Sequence, residues 1–145
     1  MNFHFTLEKV LSVKENEKNM LEVEYRNAYQ DFEQIAKALY EFLQQKETLE
    51  NQQLEGMTRG TAIEEIRKLQ TSVELLERKI DHYEVLYQNA RQNAEQKKGL
   101  LLEQAIDVKR YEKLRDLEYD QFIKKNKAEE MSKLDEISTI RHLQQ

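Results

Sequence analysis

The stretch Glu55-Gly56-Met57-Thr58-Arg59-Gly60-Thr61 decides how this chain folds. It holds two of the three glycines in a chain of 145 residues that has no proline. Glycine accepts a positive φ without a Cβ clash, so Gly56 suits the position just past a helix C-terminus. Thr61 suits an N-cap, with Glu64 three residues on at capping-box spacing. A connection this short lays its two helices antiparallel and side by side. The alternative is one unbroken helix that tolerates both glycines. The expected fold is all-α: a long two-helix antiparallel coiled-coil hairpin, the second helix longer than the first, forming a single unit over residues 1–145. Helix 1 is expected over about 3–55, the turn over 56–61 and helix 2 over about 62–136, because Ser138 and Thr139 suggest a frayed end.

Outward from the turn, both flanks carry a seven-residue repeat. Alternating steps of three and four along the first flank visit His4, Leu7, Leu11, Lys14, Lys18, Leu21, Tyr25, Ala28, Phe32, Ile35, Leu39, Phe42, Lys46, Leu49 and Gln53, ten of them apolar. The same walk along the second flank gives Ala62, Ile66, Leu69, Val73, Leu76, Ile80, Tyr83, Tyr87, Ala90 and Ala94, with no charged or amide side chain. Apolar residues every 3.5 positions keep one seam facing one partner. The repeat weakens through Lys97, Leu101, Gln104, Val108, Tyr111, Arg115, Glu118 and Phe122, and Gly99 is a soft spot there. Val23, Tyr40, Leu75, Val85 and Ile106 fall off the seam and should be exposed. Near the turn, large seam residues are flanked by the short or polar Ala38, Gln45, Ser72 and Lys79, so one edge stays open for docking or is simply the side of a two-helix seam.

Pairing Leu49 with Ile66 across the turn brings Phe5 near Arg110. Helix 2 then runs on without an intramolecular partner, carrying Met131, Leu134, Ile137, Ile140 and Leu143.

Composition narrows the function. Charged residues make up 35% of the chain, which suits exposed, charge-laced helices better than a compact core. Residues 21–108 carry 11 basic and 17 acidic side chains, and the whole chain is at -5, so a nucleic-acid partner lacks its basic stripe. Lys124, Lys125 and Lys127 form the one dense basic run, best read as a solvated helix face. With no cysteine there is no disulfide, thiolate zinc site or thiol nucleophile. No signal peptide is recognisable at the N-terminus, and no stretch approaches the roughly 20 apolar residues of a membrane span.

Phosphate loops and dinucleotide fingerprints are missing. His4, His82 and His142 are too far apart to make a local metal site, and Arg78, Lys79, Val85 and Leu86 around His82 supply no ligand. The carboxylates lie on exposed helix with no cleft to tune them as acid and base. Glu22–Arg26, Glu33–Lys37, Glu64–Lys68 and Glu74–Arg78 are placed for i,i+4 ion pairs worth about 0.2–0.5 kcal/mol each. No enzyme, cofactor or metal is expected, and a binding role remains.

The opening Phe3-His4-Phe5-Thr6-Leu7-Glu8-Lys9-Val10-Leu11 resembles that of the FliJ family of flagellar export proteins: an aromatic pair, a leucine-rich core, then a basic and an acidic stretch. The likeness continues through the glycine-containing turn, the Tyr-rich second helix and Arg110-Tyr111-Glu112-Lys113-Leu114, so it covers essentially the whole chain. It implies a cytoplasmic, monomeric, non-enzymatic stalk and adaptor of type III export, peripheral on the inner face of the cell membrane at the flagellar base. The implied partners are the hexameric export ATPase, the export gate protein FlhA and export chaperones. The resemblance puts the ATPase at the terminal end, assigned here to Phe3, Phe5, Leu7, Leu11, Phe122, Lys124, Lys125 and Met131. It puts the gate at an edge near the turn, assigned to Phe42, Leu49, Leu76 and Tyr83. The stalk of a virulence secretion system and a dimerising coiled-coil scaffold or chaperone are the rival readings.

Overall fold

A computed structural model describes residues 2–144. Two α-helices make up the fold, α1 (Glu8–Arg59) and α2 (Ile63–Gln144), packed antiparallel with the second longer. The turn lies four residues later than Gly56. Gly60 is the residue with positive φ, at 76°, and the Thr61 amide donates to the Gly56 carbonyl at 2.9 Å. That six-to-one bond with a left-handed glycine is a Schellman C-cap, so Gly56 belongs to the last turn of α1. Among the described residues no Thr61–Glu64 capping-box bond forms. The Ala62 carbonyl accepts from Glu65 and Ile66 instead and starts α2.

The other end of α2 also differs from expectation. The helix runs through Ser138 and Thr139 to Gln144. Thr139 Oγ1 donates to the Asp135 carbonyl at 2.8 Å, the bond by which a threonine fits a helix interior. Residues 2–7 are not helical, so the expected start at about residue 3 is too early.

The chain forms two compact units, a terminal unit (Met1–Met20 with Leu102–Gln145) and a tip unit (Leu21–Leu101). In the tip unit Ala28, Val73, Leu76, Ile80 and Ala94 are buried between the helices. Phe32 packs on Tyr87 with centroids 5.1 Å apart, and Phe42 meets Tyr83 edge-on at 5.0 Å. In the terminal unit Phe5, Leu11 and Val108 form the core, with Phe3 and Tyr111 packed against it. Phe5 takes the inward place that helical continuation would give Leu7, because the lead-in is not helical and His4 and Leu7 stay exposed. From Leu11 to Gln53 and from Ile66 to Phe122 every expected seam position is buried or half-buried. Val23, Tyr40, Leu75, Val85 and Ile106 are at least half exposed.

The register differs from the Leu49–Ile66 pairing. In the tip unit Gln53 donates to Gln70, Lys46 pairs with Glu77 and Lys97 with Glu24. In the terminal unit Lys14 pairs with Asp107. Leu49 therefore faces the neighbourhood of Val73, about one heptad along α2 from Ile66. The correction also lengthens the pairing, since Phe3 reaches Tyr119 and Phe122. The four expected i,i+4 ion pairs do not close. Lys46–Glu50 and Arg91–Glu95 do, at 3.6 and 3.2 Å. Exposed pairs gain too little over hydration to fix which of them forms.

Candidate docking surfaces

In the tip unit the small and polar side chains flanking the seam leave a groove open. Gln45 and Thr48 of α1 and Ser72 and Lys79 of α2 are too short or too solvated to close over Leu49 and Leu76, and the space is about 640 Å³. Leu75, 53% exposed, forms part of its wall. Sequence periodicity places Leu75 off the seam correctly but does not show that it borders the opening. Of the four residues assigned to this edge, Leu49 and Leu76 line the groove, Leu76 being buried beneath it. Phe42 and Tyr83 pack on each other, and Lys79 Nζ stands 5.8 Å over the Phe42 ring. A second recess of about 510 Å³ follows toward the turn and shares Ser72 with the first.

In the terminal unit the assigned residues fall into two groups. Phe5 and Leu11 lie in the unit's own core and offer a partner no surface. Phe3 and Phe122 are half-buried on each other, 5.5 Å apart. Thr6 Oγ1 donates to Glu118 Oε1 at 2.7 Å, which ties the lead-in down beside them. Leu7, Lys124, Lys125 and Met131 are exposed. Every described residue from Lys127 onward except Glu129 is exposed, and five of them are the large apolar Met131, Leu134, Ile137, Ile140 and Leu143.

The seam of the terminal unit also carries polar residues. Lys14 Nζ donates to Asp107 Oδ2 at 2.6 Å and stands 5.4 Å over the Tyr111 ring. Gln104 Nε2 donates to the Lys14 carbonyl and to Glu17 Oε2, both at 3.1 Å. The Lys14 hydrogen bond holds the Asp107 carboxyl below the ordinary aspartate value, against the opposite pull of desolvation. The same bond raises the Lys14 ammonium above its ordinary value. Among the described residues no three His, Asp or Glu side chains are grouped to hold a metal ion, and no helix is long and apolar enough to cross a membrane.

The described residues thus form an antiparallel two-helix coiled coil with exposed apolar edges and a longer second helix. The family described as "Flagellar FliJ protein" matches residues 3–145. A curated relative, the flagellar FliJ protein of Bacillus subtilis (strain 168), is 36% identical over 138 residues, covering 95% of this chain and 94% of the relative. No solved structure matches the chain significantly. The chain belongs to the flagellar FliJ protein family and is an export-related protein of the bacterial flagellum.

Proposed function

We propose that the chain is a non-enzymatic stalk and adaptor that couples the hexameric export ATPase to the export gate protein FlhA at the flagellar base, on the cytoplasmic face of the membrane, and that it helps handle export chaperones. The observation that carries this reading is the spacing of the exposed apolar row on α2. Met131, Leu134, Ile137, Ile140 and Leu143 are three residues apart, and all are exposed. Each step of three falls about 60° short of a full turn, so the row winds through about 240° from Met131 to Leu143. A flat partner reaches two or three of these residues. A partner that reaches all five must surround the helix, as the bore of a ring does.

The groove over Leu49 and Leu76 suits the gate, because it is apolar at its floor and sits away from the chain termini in the tip unit. ATP hydrolysis by the export ATPase and gate binding separate the two contacts. Deleting 126–145 is expected to weaken stimulation of hydrolysis and spare gate binding. Leu75→Asp with Lys79→Asp is expected to do the reverse. Intact stimulation after the deletion would remove the C-terminal turns from the ATPase contact.

A further inference from the structure

The tip unit has a second edge, separate from the groove over Leu49 and Leu76. On α1 a further heptad row stands beside the seam: Tyr29, Ala36, Tyr40, Leu43, Leu54 and Met57. Five of the six are 44–65% exposed, and Ala36 is half-buried. Single exposed apolar residues are ordinary, but these keep alternating steps of three and four from 29 to 57. Earlier in α1 the same row reads Ser12, Glu15, Asn19, Glu22 and Arg26, so the apolar run is local to the tip half of the helix.

Acids predominate beside the row from Glu33 to Glu50, whereas at its Tyr29 end the α2 side carries Arg91 and Lys98 with Glu95. The intervening positions of the α1 row are Glu33, Glu47 and Glu50, all exposed. Along the facing side of α2 run Glu74, Glu77, Asp81 and Glu84, again at steps of three and four and all exposed. The two sides border one edge, because Lys46 reaches both Glu50 at 3.6 Å and Glu77 at 3.5 Å. Among the described residues, Lys46 is the one base bonded into this array. Along α2 beyond Glu77, a recess of about 520 Å³ is lined by Leu39 of α1 and by Asp81, Glu84 and Val85 of α2.

We propose that this edge receives a basic amphipathic helix from another protein, which lies along α1 and completes a three-helix coiled coil over residues 29–57. The apolar row supplies knobs for a third seam. The seven acids select lysine and arginine on the flanks of the incoming helix and repel an acidic one. The row is about 42 Å long at 1.5 Å per residue, so it accommodates a helix of about 28 residues.

The test uses the full chain and three labelled synthetic peptides of about 28 residues. One carries leucine at the seam positions and lysine on the flanks, its twin carries glutamate for lysine, and the third scrambles the lysine sequence. Fluorescence anisotropy is expected to show binding of the amphipathic lysine peptide alone, weakening as salt is raised. Tyr40→Glu with Leu43→Glu is expected to weaken it at least about tenfold, and Val23→Glu, exposed elsewhere on α1, to leave it unchanged. A photo-crosslinker in place of Tyr40 is expected to capture the lysine peptide in the otherwise native chain, which covers the case of a poorly folded double variant. Equal binding of the scrambled peptide, undiminished binding by the folded Tyr40/Leu43 variant, or cross-linking only to a second copy of this chain would overturn the proposal.

Discussion

At the scale of single residues, the two glycines near the turn do opposite things. Gly60 is held at a φ of 76°, where a Cβ meets its own backbone. Gly60→Ala is expected to lower stability by about 1–2 kcal/mol. Gly56 is helical, and a Cβ there would lie 3.4 Å from Thr61 Oγ1, an ordinary contact. Gly56→Ala is expected to raise stability by up to about 1 kcal/mol, since glycine is a poor residue in a helix interior. Urea melts of the two variants should therefore move in opposite directions. Composition marks both glycines and does not choose between them. The choice rests on a six-to-one backbone bond, which leaves no residue type in the sequence. Asp107 gives a second test. Its carboxyl titrates below the ordinary value of 3.8 in the folded chain, so its ion pair contributes above that value and the contribution is lost as pH falls through the lowered one. The melting-temperature gap between the native chain and Asp107→Asn is expected to be open near neutral pH and to close as the pH drops below 3.8. At the basic end the sign reverses. The raised Lys14 value keeps the pair's contribution in place below 10.5 and loses it as pH climbs above the folded value.

At the scale of the helices, periodicity reveals which face is buried but not which turn meets which. Leu76 and Leu75 are neighbours, and one is 8% and the other 53% exposed. Leu76→Ala is expected to cost about 2–4 kcal/mol in chemical denaturation, and Leu75→Ala well under half of that. Equal losses would contradict the seam. That assignment was open to sequence reasoning because a 3.5-residue repeat has one answer per helix. The pairing register was not, because sliding α2 by seven residues sets Leu49 on Ile66 instead of Val73 and keeps apolar against apolar. Polar residues break the tie. Lys14, Gln53, Lys97 and Gln104 occupy seam positions and reach Asp107, Gln70, Glu24 and Glu17 across the helix pair. A one-heptad slip sets Lys14 against Leu100, Gln53 against Ile63 and Gln104 against Val10, while Lys97 exchanges Glu24 for Glu17, so three of the four lose their partners, which is how a polar seam residue specifies register at some cost in stability. Leu49→Cys with Val73→Cys is expected to oxidise within one chain, and Leu49→Cys with Ile66→Cys to stay reduced, since a disulfide needs Cα atoms within about 7 Å.

At the scale of the whole molecule, the same seam could in principle join two chains, and the turn decides the matter. The Schellman cap at Gly60 and the start of α2 at Ile63 leave three residues between the helices. A link that short holds the second helix at the first at an effective concentration that separate chains in dilute solution do not reach. Two features limit how far this could be read in advance. The lead-in at 2–7 resembles one more heptad, with His4 and Leu7 in phase, yet Phe5 is the buried residue because Thr6 bonds to Glu118 from a non-helical backbone. The distal row of α2 is plain in the sequence, but its winding tells against a flat partner only once the helix is seen to continue unbroken to Gln144. The thermal consequence is specific. Unfolding of an intramolecular pair is first order in both directions, so its melting temperature does not depend on chain concentration, whereas that of a two-chain coil rises with it. The expected result is one melting temperature across about a hundredfold range of concentration, measured by circular dichroism at fixed salt. Deleting 126–145 should leave that temperature nearly unchanged, because among the described residues removed only Asn126 and Glu129 are even half-buried. A melting temperature that climbs with concentration would place the partner helix in a second chain and give the polar seam residues an intermolecular role.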